Sequence, residues 1–176
     1  MKSFVILTAL FLYLPAAHAQ ASLRQSVVTK ACGNDQVDFD VQIENAPQSN
    51  LQPEPGKALV YVISQVWSSV KVGMDSGWVG ANKGHSYISF SADPGEHHLC
   101  GDWKKGGGSK GRKISLTSFL AEPGKVYFFR ARMVPTWKGD LRGSNGFDLE
   151  LINPDQGEFL LESLPHSTSH PKKQIP

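Results

Sequence analysis

The chain is poor in three things, and each absence excludes a class of function. It carries almost no net charge: 18 basic residues stand against 16 acidic ones. Lys2 lies in the leading segment, so the rest of the chain holds +1 rather than the +2 of the whole. That balance argues against a general polyanion or nucleic-acid binder. Long apolar runs are missing as well. Phe4 to Leu14 is roughly half the ~20 residues a spanning helix needs, and no later segment approaches that length. Finally, the spacing signatures of common hydrolases are absent, with neither a G-x-S-x-G elbow nor an H-E-x-x-H pair. No internal repeat points to a solenoid.

What is present begins with an export signal. Lys2 gives the positive start, Phe4 to Leu14 the apolar stretch, and Ala17-His18-Ala19 the small-x-small cleavage site. Cleavage after Ala19 leaves 157 of the 176 residues, enough for one domain with a single core. No cysteine follows the signal directly, which argues against lipoprotein processing. The two cysteines, Cys32 and Cys100, point in an oxidising compartment to one disulfide rather than two buried thiols. Its loop would stabilise the fold by about 4 kcal/mol in the chain-entropy account.

The pattern that follows is β throughout. Val37 to Glu44 alternates apolar and polar residues, the mark of a strand with one wet side. Ala58 to Val66 is nearly continuous apolar sequence and reads as a central strand covered on both faces. Val70 to Met74 continues the β character. The central stretch, Asp75 to Trp103, reads as two strands joined by the turn Asp93-Pro94-Gly95-Glu96, with Ile88 and Phe90 on one face and Tyr87, Ser89 and Ser91 on the other. Ile114, Leu116 and Phe119 mark a short strand after the loop KKGGGSKGRK. Val126 to Met133 and Phe147 to Ile152 predict a long hairpin: Tyr127, Phe129, Ala131 and Met133 face Phe147, Leu149 and Leu151 inside, and Arg130 and Arg132 meet Asp148 and Glu150 outside. Asn153 as N-cap and Pro154 at the first helical position predict a short helix to about Leu164, stopped by Pro165, with Phe159, Leu160 and Leu164 as its apolar face. The expected fold is therefore all-β: a single sandwich of about seven to eight mostly antiparallel strands with one short C-terminal helix. Its divisions are a signal peptide (1–19), a leader with one strand tied by the disulfide (20–52), the sandwich (53–164) and a flexible tail (165–176).

Several stretches carry a resemblance: PEPGKALVYVI (Pro53 to Ile63), GWVGAN (Gly77 to Asn82), SYISFSADPGEHHLC (Ser86 to Cys100), AEPGKVYFFRAR (Ala121 to Arg132) and LELINPDQGEFLL (Leu149 to Leu161). In these the chain resembles bacterial exported proteins that carry domain of unknown function 2846. The resemblance covers roughly Pro53 to Leu161. It implies a compact all-β domain of the cell envelope of a diderm bacterium, and it implies no activity. Some members look like lipoproteins; lacking the cysteine, this chain does not inherit that anchor.

Candidate chemistry is sparse. Gly106-x-Gly108-x-x-Gly111 fits a dinucleotide pattern but lies between strands and opens no helix. Ser68-x-x-Lys71 matches a serine-acylation motif without its companion motifs. His97 and His98 are adjacent on a strand, so their side chains point to opposite faces. His85 would approach one of them across the hairpin, and Asp102 would follow His98 on one face, but a metal needs three or four converging ligands. These histidines read as surface residues, His166 and His170 in the tail offer at most adventitious metal binding without functional weight, and no cofactor or metal is expected. The feature that stands out is a cationic loop, with Lys104, Lys105, Lys110, Arg112 and Lys113 around one acid, Asp102, and Trp103 at its base. Such a loop suits anionic envelope polymers or phosphate headgroups, against the bland alternative of a solvated loop. Trp67, Trp78, Trp103 and Trp137 offer a carbohydrate-stacking platform, although Trp78 reads as a packing residue.

The function these features support is an exported, periplasmic or extracellular, non-catalytic module that binds an anionic envelope polymer, a glycan or an envelope protein. A reading from another class is a small hydrolase assembled from His98, Asp102 and Ser91, which requires a nucleophile and base within about 3 Å. A third is a structural partner that adds an edge strand to another sheet.

Overall fold

Seven consecutive residues, Ala58 to Ser64, are buried without exception, and the molecule is arranged about them. A strand this apolar needs cover on both faces. The computed structural model describes residues 28, 30–33, 37–44, 52–104, 112–135, 137–138, 141–142 and 146–172. In chain order its strands are β1 (Phe39–Glu44), β2 (Ala58–Ser64), β3 (Val70–Met74), β4 (Gly77–Asn82), β5 (Ser86–Ala92), β6 (Gly95–Lys104), β7 (Arg112–Ala121), β8 (Val126–Val134), β9 (Trp137–Lys138), β10 (Leu141–Arg142), β11 (Gly146–Ile152) and β12 (His166–Pro171). Helix α1 (Pro154–Ser163) lies between the last two. The strands form a six-stranded sheet, β1-β12-β5-β2-β8-β11, a four-stranded sheet, β4-β3-β6-β7, and the small β9-β10 pair.

The alternation of β2 explains its double cover. Ala58, Val60 and Val62 enter the core between the sheets, with Val70 and Val72 of β3, Leu99 of β6, and Phe129 and Ala131 of β8. Leu59, Tyr61 and Ile63 face the other way, into a second core with Phe128, Ile152 and Leu161 of α1. The result is the expected all-β sandwich with one C-terminal helix.

Local signals were honoured at α1 and at the β8–β11 hairpin. The Asn153 side chain accepts from the Gln156 N–H at 2.9 Å, and Pro154 opens the helix. On the hairpin Arg130 stands opposite Glu150 and Arg132 opposite Asp148. Glu150 accepts from both guanidinium groups, at 2.8 Å and 2.7 Å. These two bonds outweigh the effect of desolvation and hold its carboxyl below the usual range, the Arg130 bond contributing most. Three apolar assignments need correction. Met133, Leu151 and Phe159 are exposed, while Leu161 and Gly157 form the buried stripe of α1. Gly157 is required there because a Cβ would overlap the Phe128 ring.

Two larger corrections follow from tertiary burial. The β5–β6 stretch is no hairpin: β5 pairs with β2 in one sheet, and β6 pairs with β3 and β7 in the other. Asp93 and Pro94 therefore turn a corner between sheets, with Gly95 at φ 137°. The same turn chemistry serves either route, and both strands present one apolar face, so shared burial decides. The partner of β6 is β7, ten residues long and paired from Gly95↔Ala121 to Lys104↔Arg112.

The tail expected to be flexible contains β12, which pairs with β1 along six residues and with β5 at His166↔Tyr87. Its hydroxyls also close one edge of the four-stranded sheet. Backbone N–H groups of β4 and of the residue after it donate to them, Ala81 to Ser169 Oγ at 2.9 Å and Lys83 to Ser167 Oγ at 3.2 Å. On the other side Leu149 N–H of β11 donates to Ser115 Oγ of β7 at 2.9 Å. The leader and the tail thus belong to the sandwich through β1 and β12.

Candidate functional site

Strand register gathers the loops of the sandwich into two poles of different chemistry. On β3, Val70 stands beside Asn82 of β4 and Trp103 of β6. Loop 65–69, turn 83–85 and the ends of the β6–β7 pair therefore leave the four-stranded sheet at one end, across three inter-strand spacings, roughly 14 Å.

Trp67 dominates this pole. The residue is 81% exposed. Its backbone lies so close to Gly84 that a Cβ there would strike the Trp67 and Val66 carbonyl groups. The next residue, His85, holds φ at 54°, a conformation L residues adopt at a cost. Its N–H donates to Val66 O at 3.2 Å. That geometry sets the imidazole edge-to-face against the indole, ring centroids 4.4 Å apart. Lys83, exposed, is on the same turn.

The cationic loop springs from this end. Trp103 is a core residue, 3% exposed and packed on Phe147, so it offers no face to a ligand. The Lys113 ammonium covers it, 5.6 Å from the ring centroid. Lys104 and Arg112 are the register pair that ends the two strands. Lys105 and Lys110 lie outside the described residues, as does the glycine motif Gly106-x-Gly108-x-x-Gly111. Of the four tryptophans, Trp78 packs against the disulfide and receives the Lys71 ammonium at 4.2 Å, as a packing residue would. Trp137 belongs to β9.

The opposite pole is acidic and self-satisfied. Asp75 and Ser76 make the β3–β4 turn with φ 50° and 70°. Asp75 accepts from the His98 N–H at 2.9 Å and meets His97 Nδ1 at 2.5 Å. His97 Nε2 reaches Asp93 O at 2.7 Å. Burial pushes this imidazole down, but the Asp75 and Asp93 contacts and charges overcome it and leave its pKa raised. Burial likewise pushes Asp75 up, and the His98 and His97 bonds reverse that to leave it lowered. Lys57 lies 3.6 Å from Glu54 and 3.7 Å from Asp93. Nothing in the sequence pattern marked this clamp, because it exists only once β6 is paired with β3 rather than β5.

The outer face of the four-stranded sheet carries a strap. Cys32 and Cys100 form the disulfide, Cα atoms 5.3 Å apart, tying residues 30–33 across Gly73 of β3. Beside it Lys71 of β3 faces its register partner Asp102 of β6, Nζ to Oδ2 3.7 Å, both side chains buried. Lys71 Nζ also donates to Val37 O at 3.0 Å. The lysine of the acylation-like motif is thus committed to packing.

The set His98, Asp102 and Ser91 is not brought together. Asp102 is fully buried against Lys71, His98 is four residues away along β6, about 13 Å, and Ser91 lies on β5 in the other sheet. His85 stands at the pole opposite His97. His166, in the tail, is buried: Nδ1 meets Glu44 at 3.2 Å and its ring lies 5.2 Å from Tyr87. Among the described residues no group of three metal-binding side chains converges, and no helix is long and apolar enough to cross a membrane. Comparison with protein-family models, curated proteins and solved structures found no match.

Proposed function

We propose that this chain is an exported, non-catalytic β-sandwich that binds an anionic component of the bacterial cell envelope at the Trp67–His85 pole. The observation that carries the reading is the register of Val70 with Asn82 and Trp103, which joins an exposed aromatic to the root of a cationic hairpin. Carboxylates crowd the far end, at Glu54, Asp75, Asp93 and Glu122, so a negative ligand is steered to one pole. The signal-like first 19 residues and the intramolecular disulfide support export. The resemblance to proteins with domain of unknown function 2846, carried by the PGK, PGEH and GKVYFFR elements, supports an envelope setting. The polar side chains that chemistry would need, His97, Asp102 and Lys71, are engaged in holding the fold.

The test is a binding screen of residues 20–176 against envelope glycans, anionic lipids and polyphosphate at low and raised salt. A variant with Lys104, Lys105, Lys110, Arg112 and Lys113 replaced by Ser is the control. Binding that weakens with salt and is lost in the control supports the reading. Binding unchanged in the control, or none to any ligand, overturns it.

A further inference from the structure

We infer that Trp67 and His85 form a sugar-stacking subsite, and that the ligand of this pole is an acidic saccharide whose pyranose ring lies on the indole. The inference rests on the function proposed above and names the ligand class. Three observations converge on it.

First, a tryptophan 81% exposed is a costly thing to display, since it is among the residues that gain most from burial. Second, the ring is held in place. Gly84 admits the Trp67 backbone at a distance no side chain would allow, and His85 accepts a left-handed φ of 54° to set its imidazole at 4.4 Å. Backbone strain of this sort gathers at binding sites. A preorganised ring loses little freedom when a ligand lands on it. Third, the surroundings are polar and cationic rather than apolar. The loop of Trp67 carries Gln65, Ser68 and Ser69 while its apolar member, Val66, is buried, and Lys83 is exposed on the His85 turn.

A flat indole rimmed by hydrogen-bonding groups matches the C–H face and hydroxyl rim of a pyranose. Lys83 on the His85 turn, and Lys113 opposite Trp103 at the same end of the sheet, match a carboxylate or sulfate on the same sugar. A bilayer-inserting tip would instead surround the indole with exposed aliphatic side chains and lay a wide apolar face on the membrane; on this loop the one aliphatic residue, Val66, is buried in the core, and the others are Gln65, Ser68 and Ser69.

The experiment uses residues 20–176, intact and oxidised, and three probes: an oligogalacturonate tetramer, the neutral tetramer of N-acetylglucosamine, and phosphatidylglycerol vesicles. Variants are Trp67→Ala, Trp67→Phe, His85→Ala and the five-residue Ser replacement. Trp67 is exposed, so its replacement should leave the denaturation midpoint close to that of the parent. The expected result is oligogalacturonate binding about tenfold weaker in Trp67→Ala. Trp67→Phe should retain part of it, and iodide quenching of tryptophan fluorescence should fall when the saccharide binds. Oligogalacturonate affinity unchanged in Trp67→Ala but lost in the Ser variant would overturn the stacking subsite and leave the cationic pole standing. Loss of vesicle binding in Trp67→Ala, without any saccharide binding, would overturn it in favour of a membrane contact. Absence of binding to all three probes would overturn both readings.

Discussion

Replacing Asp102 by Asn separates a buried ion pair from the surface pairs of the same protein. Asp102 is fully buried and Lys71 nearly so, side-chain exposures 0% and 6%, and the strap tied by Cys32–Cys100 crosses the same face of the sheet. Asparagine keeps the volume and removes the charge. Lys71 then keeps the Val37 carbonyl and the Trp78 ring but loses its counter-ion. Leaving one partner of a buried pair uncompensated costs about 3–5 kcal/mol, a large part of the 5–15 kcal/mol that holds a typical domain. The double replacement Lys71→Met with Asp102→Leu removes both charges and should return most of that loss, because apolar substitutes of similar size spare the desolvation. Glu150→Gln, at a half-exposed site, should cost only about 1 kcal/mol although two arginines reach it. Urea unfolding at neutral pH with the disulfide intact measures all three, the slope staying constant if only stability has changed. An Asp102→Asn variant within about 1 kcal/mol of the parent would refute the reasoning.

The His97 clamp predicts a pH window. Its raised pKa makes the stabilisation complete below the ordinary value of 6.5 and lost as pH rises through the folded value. The lowered pKa of Asp75 makes its share complete above 3.8 and lost as pH falls through the folded value. The clamp should therefore add most stability between about pH 4 and 6.5, and denaturation of His97→Gln should lose that excess there. Replacing both cysteines by serine opens a loop of 68 residues, which should lower stability by about 4 kcal/mol; acrylamide quenching of Trp78 should rise as the strap leaves it. Gly157→Ala should destabilise by about 1–2 kcal/mol in thermal unfolding, since overlap with Phe128 outweighs the gain in helix propensity.

What was legible in the sequence is what neighbouring residues decide. Asn153-Pro154 announces a helix through its own capping chemistry, and alternate arginines and acids fix one hairpin register. Ala58 to Ser64 declares a doubly covered strand by having no polar face. The corner at Asp93-Pro94 was not legible, because Ile88 and Phe90 on one side and Leu99 and Trp103 on the other fit either a shared sheet or two facing sheets. β12 escaped because HSTSHP has no apolar alternation. Its serines are there to bond the edge of β4, a purpose visible only with both in place. Of the candidate site, the cations could be read directly, but not the separation of buried Trp103 from exposed Trp67. That depends on which loop the register leaves in water.

The most direct test is a backbone amide NMR titration of residues 20–176 with an acidic tetrasaccharide. The account predicts shifts concentrated at Val66 to Ser69, Asn82 to Ser86 and the Trp103–Lys113 strand ends, with the Asp75–Asp93 pole silent. Shifts centred on Asp75, Asp93 and His97, or spread evenly over the surface, would contradict it.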